Sequence, residues 1–205
     1  TRFFANISHE FRTPLTLIMS PVEQMMDGTL KGDVSKYYRI IHRNGKRLLH
    51  LVNDMLDLSK LESGKLKLQA APGRIDAFTR ATAGAFESLA ARQQVDLIIE
   101  TSANEEVCYF DRPKLESMLS NLISNAFKFT GEGGKVKVTE EKRGANTIFT
   151  ITDTGIGMSP QQVEHLFDRF SQTTVSELQH GSGIGLALAS ELAILHGGDI
   201  SVQSK

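Results

Sequence analysis

The segment ISHEFRTPL sets His9 two residues from both Ile7 and Phe11. On a helix turning about 100° per residue it lies about 200° from each, so its imidazole faces away from an apolar stripe. Thr13, four residues on, shares that outward face, and Glu10 stands beside the histidine. A free imidazole titrates near about 6.5, so an exposed one is largely neutral at neutral pH and offers a lone pair for attack. A neighbouring carboxylate can keep one ring nitrogen protonated and aim the other. The spacing fits a nucleophile, and alone it fits a solvated surface histidine better; the other motifs reverse that balance.

In LSNLISNAFKFT, Asn121 and Asn125 fall at i and i+4 inside an apolar helix. Asparagine is a poor interior helix residue because its amide competes for backbone hydrogen bonds, and these two are too far inside to be caps. An amide oxygen can ligate magnesium, a hard cation, and Lys128 just beyond can meet a phosphate. Two asparagines bonding a neighbouring loop are the structural alternative. ITDTGIGM ends an apolar strand in Asp153, followed by Gly155 and Gly157. A carboxylate there can accept from an exocyclic amine, while the glycines let backbone approach a ligand. The same DTG triplet occurs in aspartic proteases, a rival that explains neither the asparagine pair nor the helical repeat at the N-terminus.

HGSGIGLALASELAILHGG opens an apolar helix with Gly181, Gly183 and Gly185, so free amides and the helix dipole face whatever anion docks there. This suits a phosphate; a flexible hinge is the alternative. The spacing differs from both the dinucleotide fingerprint and the P-loop. Between Asp153 and these glycines, SPQQVEHLFDRFSQTTVSELQ has a polar second half that reads as a lid. Phe167 and Phe170 would anchor its base or simply fill core.

Two scaffolds must hold these groups. Phe4, Ile7, Phe11, Leu15, Ile18, Val22 and Met25 form one apolar helical stripe, with Pro14 and Pro21 inside it removing donors and bending it. After DGTLKGD, a heptad runs through Tyr37, Ile41, Asn44, Leu48, Leu51, Met55 and Leu58. Two such helices bury both stripes well only against a second copy, which predicts a homodimeric four-helix bundle, with Asn44 on the seam either fixing register or exposed to solvent at a bundle end. Around ESGKLKLQAAPGRID the period fails, marking a linker between a hairpin at 1–68 and a second domain at 69–205. There VDLIIE, VCYF, KVKVTE, TIFTIT and DISVQ read as strands, and residues 76–92, 112–128, 160–166 and 183–196 as helices. That mixture predicts a two-layer α/β sandwich.

The composition sets limits. With Lys plus Arg at 23 against Asp plus Glu at 24, net charge is -1, and no general basic field exists to hold nucleic acid or acidic lipid. The single cysteine, Cys108, excludes an internal disulfide or a Cys-rich zinc site and fits packing in a strand in a reducing compartment. No apolar stretch reaches the roughly 18 residues of a membrane span, and the N-terminus has no signal pattern. The chain begins inside a helical pattern and stops in an apparent strand, so it reads as a piece of something longer.

Taken in order, these pieces resemble the H, N, first glycine, F and second glycine boxes of the bacterial sensor histidine kinases, across nearly the whole chain. The resemblance implies a dimerisation and histidine-phosphotransfer hairpin forming a dimeric four-helix bundle, then a Bergerat-type ATP-binding α/β sandwich. It implies that His9 accepts the γ-phosphate of ATP, that Glu10 is its base, and that Thr13 takes part in removing phosphate from the regulator. It further implies Asn125 on Mg2+, Asn121 close to the nucleotide, Lys128 on phosphate and Asp153 on the adenine amine. Gly155, Gly157, Phe170, Gly181, Gly183, Gly185 and Leu186 would surround the nucleotide. The implied partners are a second copy and a response-regulator receiver domain, separate or on the same chain as in hybrid kinases. The implied location is the cytoplasmic part of a membrane-anchored sensor, with no nucleic-acid partner. A nucleotide-binding pseudokinase scaffold is the alternative, against which the intact His9, Glu10, Asn125 and Asp153 argue.

Overall fold

The structure, a computed structural model, describes residues 2–102, 107–168 and 183–204, and of residues 2–7 and 62 the backbone alone. The chain divides into two compact units, Thr1–Leu66 and Lys67–Lys205.

The first unit is a hairpin of α1 (Arg2–Met26) and α2 (Val34–Glu62). Glu10 of α1 meets Arg47 of α2, and Leu17, Pro21 and Gln24 share a small groove with Tyr37 and Ile40, so the helices run antiparallel. Asp33 caps α2 by accepting from the Ser35 N–H at 2.9 Å. Both prolines stay inside α1 with their rings buried, so packing offsets the lost backbone donors. On α2 the heptad positions face inward: Asn44, Leu51 and Leu58 are buried, and Tyr37, Ile41, Leu48 and Met55 half-buried. The Asn44 amide donates to the Ile40 carbonyl at 2.8 Å. Leu15 departs from the expected stripe. Pro14 takes the buried position and Leu15, one residue round, is 51 % exposed, because a single pair of helices buries a narrower seam than the stripe is wide. Leu49, Val52 and Leu56 of α2 are exposed as well.

In the second unit β1 (Ala71–Arg74) pairs antiparallel with β3 (Val107–Phe110). β2 (Asp96–Thr101), β4 (Lys135–Arg143) and β5 (Asn146–Asp153) form a second sheet in the order β2-β4-β5, with β2 parallel to β4 and β4 antiparallel to β5. The helices among the described residues of this unit are α3 (Ile75–Gly84), α4 (Glu87–Gln93), α5 (Arg112–Phe129), α6 (Pro160–Glu164) and α7 (Gly185–Leu195). α5 is central. It packs on α3, α7, β4 and β5, burying Leu119, Ile123 and Phe127 against Val136, Val138, Ile184 and Leu188 in the core, while the Phe127 ring stacks on Phe86 at 5.9 Å. Buried Asp76, in the first turn of α3, accepts a two-pronged guanidinium contact from Arg74 at 3.2 and 2.9 Å. Arg80 also reaches Asp76, and it bonds Thr101 of β2. The Arg74 contact outweighs burial and holds the Asp76 carboxyl well below the usual carboxylate range.

Three elements differ from the sequence reading. APGR, read as linker, is strand β1, because Gly73 leaves room for the Phe110 ring: a Cβ there would stand 3.0 Å from Phe110 Cε1. The helix expected over 76–92 breaks at Ala85–Phe86 into α3 and α4. DISVQ forms no ladder; its alternate side chains, Ile200 and Val202, are half-buried, and the Met158 N–H donates to Ser204 Oγ at 2.8 Å. Alternation thus reported its burial pattern, while strand pairing needs a partner edge that the segment does not meet. No helix among the described residues is long and apolar enough to cross a membrane.

Candidate functional site

In the hairpin, His9 is exposed on α1, and its ring makes no hydrogen bond among the described residues. Glu10, about 100° further round the helix, turns toward α2, where its Oε2 accepts from Arg47 Nη2 at 3.2 Å. The two side chains are 15 % and 26 % exposed, so this is a half-buried ion pair. The Thr13 hydroxyl donates to the His9 carbonyl at 3.3 Å, a long bond immediately before the buried Pro14. Further along α2, burial pushes the Asp54 carboxyl up to about 6, against the pull of His50 and with the push of Asp57.

In the second unit α5 carries the paired amides. Asp111 caps it, accepting from the Lys114 N–H at 3.2 Å and from the Lys114 ammonium at 2.6 Å. The same carboxylate accepts from the Gln69 N–H at 2.7 Å. Burial alone would push this carboxyl up, yet the Lys114 ammonium and the two backbone N–H groups hold it down. With Leu115, Leu119, Ile123 and Phe127 turned into the core, Asn121, Asn125 and Lys128 come to lie half-buried on a neighbouring face. The Asn125 side chain makes no hydrogen bond among the described residues.

Two glycine contacts bring distant segments onto this face. A Cβ on Gly185, at the first turn of α7, would stand 2.7 Å from Asn121 Oδ1. A Cβ on Gly155, just after β5, would stand 2.5 Å from the Phe129 carbonyl and 2.8 Å from Asp153 Oδ1. At Gly155 the obstacle is backbone, so only glycine permits the approach; at Gly185 a Cβ would force the Asn121 amide to shift. Asp153 is exposed at the end of β5 and accepts from the Gly155 N–H at 2.9 Å. Gly157 and Gly183 take φ of +67° and +64°, the left-handed region glycine favours. Ile184, the N-cap of α7, makes no side-chain capping hydrogen bond, so no side chain of the cap itself takes the first amides of that helix. Leu186 is half-buried beside them. Between Asn121 and Phe129 the site follows about 12 Å of helix axis.

The structure therefore gathers Asn121, Asn125, Lys128, Asp153, Gly155 and Gly185 along α5, with Gly157, Gly183 and Leu186 flanking them. Phe170 and Gly181 lie outside the described residues, and His9, Glu10 and Thr13 belong to the hairpin unit. Arg47 and Asp111 were not foreseen. Arg47 follows Asn44 by three residues and so borders the heptad seam, the one sequence signal that would have found it. The site's chemistry fits a magnesium-bound nucleotide: amide and carboxylate oxygens for hard or polar groups, an ammonium, the amides of a helix start, and glycines where a Cβ would collide.

Two families match the chain: the His Kinase A (phospho-acceptor) domain over residues 1–64, and the histidine kinase-, DNA gyrase B-, and HSP90-like ATPase over residues 110–205. Over its whole length the chain is 37 % identical to hybrid signal transduction histidine kinase D of Dictyostelium discoideum, of which it spans 14 %. Among solved structures, the histidine kinase AdeS of Acinetobacter baumannii superposes with a TM-score of 0.73 at 27 % identity, over 91 % of this chain and 86 % of that one. Full-length ShkA in complex with AMPPNP gives 0.69 at 28 % identity, over 99 % of this chain and 44 % of that one.

Proposed function

The chain belongs to the histidine kinases, and on that premise we propose that it is the catalytic core of a two-component kinase that phosphorylates its own His9 from ATP and passes the phosphoryl group to an aspartate of a response regulator. Residues 1–68 serve as the phosphotransfer and dimerisation hairpin and 69–205 as the ATP-binding domain. The convergence of Asn121, Asp153, Gly155 and Gly185 along α5 carries the reading, because three separate stretches of sequence contribute to one face shaped by absent side chains. AMPPNP in the similar ShkA structure supports a nucleotide there.

A bound magnesium nucleotide supplies the phosphoryl group and neutralises its charge. Asn125 offers its amide oxygen to the metal, Asn121 lies toward the nucleotide, Lys128 meets phosphate, and Asp153 accepts from the adenine amine. The α7 amides and the flanking glycines cradle the phosphates. One ring nitrogen of His9 attacks the γ-phosphorus; an N–P bond forms as the bond to the β–γ bridging oxygen breaks, and ADP leaves with that electron pair. Glu10 takes the proton from the other ring nitrogen. The exposed Leu15, Leu49, Val52 and Leu56 support burial of the hairpin against a second copy as a four-helix bundle. Thr13 orients the water that hydrolyses the phosphorylated regulator. The core works as the cytoplasmic part of a larger, membrane-anchored sensor.

Incubation with γ-labelled ATP and magnesium tests the reading: acid-labile, base-stable label is expected on the parent protein and none on His9→Gln. Acid-stable label persisting in the variant would defeat the assignment of His9.

A further inference from the structure

The Glu10 carboxylate is directed away from the histidine it adjoins. Its Oε2 is held by Arg47 Nη2 at 3.2 Å across the hairpin, while the His9 ring on the neighbouring, exposed face makes no hydrogen bond among the described residues. Neighbouring positions on a helix diverge by about 100°, so a glutamate side chain can serve either side only by rotating about its own bonds. The two options compete. An Arg–carboxylate contact that is half-buried is screened less than one at the surface, and it fixes the rotamer of both partners.

We infer that Arg47 is a positioning residue that competes with His9 for the Glu10 carboxylate, holding the proton acceptor away from the imidazole until the α1–α2 contact loosens. This rests on the kinase reading above, in which Glu10 takes the His9 proton. Arg47 touches no reacting atom; it acts through Glu10 alone. The link crosses the hairpin, from residue 47 of α2 to residue 10 of α1, so any sliding or rotation of one helix against the other changes the distance between guanidinium and carboxylate. Packing of the two helices thereby sets how often His9 finds its base. Arg47 also lies three residues after Asn44, whose amide is tied to its own helix through the Ile40 carbonyl, so the guanidinium is presented from a fixed stretch of α2.

The test is a double-variant cycle on the whole protein, with Arg47→Met, Arg47→Lys, Glu10→Gln and the Arg47→Met/Glu10→Gln pair. Initial rates of acid-labile labelling are measured at saturating magnesium and ATP, together with KM for ATP and the melting temperature. Arg47→Met is expected to raise the labelling rate roughly three- to tenfold, the scale of one partly buried ion pair, with KM unchanged. Arg47→Lys, which keeps the charge, should stay near the parent. In the Glu10→Gln background the same Arg47→Met change should do nothing, because its target is gone. A rate that is unchanged or lowered by Arg47→Met at parent-like melting temperature would overturn the inference, as would an equal rise in the Glu10→Gln background. Should Arg47→Met melt early, Arg47→Gln is read by the same criteria. A parent protein that takes no acid-labile label would overturn the kinase reading and this inference with it. A labelled parent with additive variants overturns this inference alone.

Discussion

Asn121 Oδ1 lies 2.7 Å from the place where a Cβ on Gly185 would have to stand, so the amide of α5 keeps its present position only without that methyl. Gly185→Ala should push the amide aside and weaken nucleotide binding by roughly tenfold or more, the scale of one lost positioned contact. Titration of a fluorescent nucleotide analogue checks it. Unchanged affinity would mean that Asn121 gives way freely and is not held for binding.

Asp153 accepts from the Gly155 N–H, and an asparagine keeps an oxygen that can do the same. Asp153→Asn should therefore leave the β5 turn intact while removing the charged acceptor for an adenine amine. We expect the preference for ATP over GTP to fall by about 10- to 100-fold in competition binding. Equal selectivity in the two proteins would return Asp153 to the turn alone.

The Thr13 hydroxyl makes only a 3.3 Å bond to the His9 carbonyl, so its removal should cost little stability. Thr13→Ala is expected to keep the melting temperature and His9 labelling near the parent and to slow decay of phosphorylated regulator by about 10- to 100-fold, as for a lost water-orienting contact. If melting temperature and both activities fell together, the hydroxyl would be serving the helix beside Pro14.

Asp54 and Asp111 make stability depend on pH with opposite signs. The folded Asp54 carboxyl titrates at about 6 against 3.8 for the free group, so the folded state binds its proton more tightly. Its contribution is fully present below about 4 and is lost as pH rises through about 6, an effect of about 1 kcal/mol once solvent screening is allowed for. Asp54→Asn should flatten denaturant stability across that interval. Asp111, held below its free value, contributes above the free carboxylate range and loses that contribution as pH falls through its lowered folded value. Asp111→Ala should cost about 1–2 kcal/mol at neutral pH for the lost cap. A parent and Asp54→Asn that run parallel from pH 4 to 7 would rule out burial of that carboxyl.

Periodicity made much of this legible. The heptad of α2 faces inward as read, and Asn121 of α5 lies beside Gly185 at the first turn of α7. What escaped depended on distant partners. Pro72 and Gly73 read as breakers, yet in a two-stranded sheet Pro72 opposite Tyr109 and Gly73 beneath the Phe110 ring are tolerated. Ala85 and Phe86 carry no strong stop signal, and the break there lets Phe86 stack on Phe127 from another helix. Arg47 finds Glu10 across 37 residues of sequence, a pairing that no local spacing encodes.

The Gln69 N–H on Asp111 fixes the length of the leash between the two units. Behind α2 the N–H groups of Lys65 and Leu66 both return to the Lys60 carbonyl, so the chain is fastened to the helix end through Leu66. Ahead, Gln69 is hooked to the cap of α5. Free play is confined to Lys67 and Leu68, and the Leu66–Gln69 step can stretch to only about 10 Å. Two residues of chain, and no more, thus separate a segment tied to the end of α2 from one tied to the cap of α5.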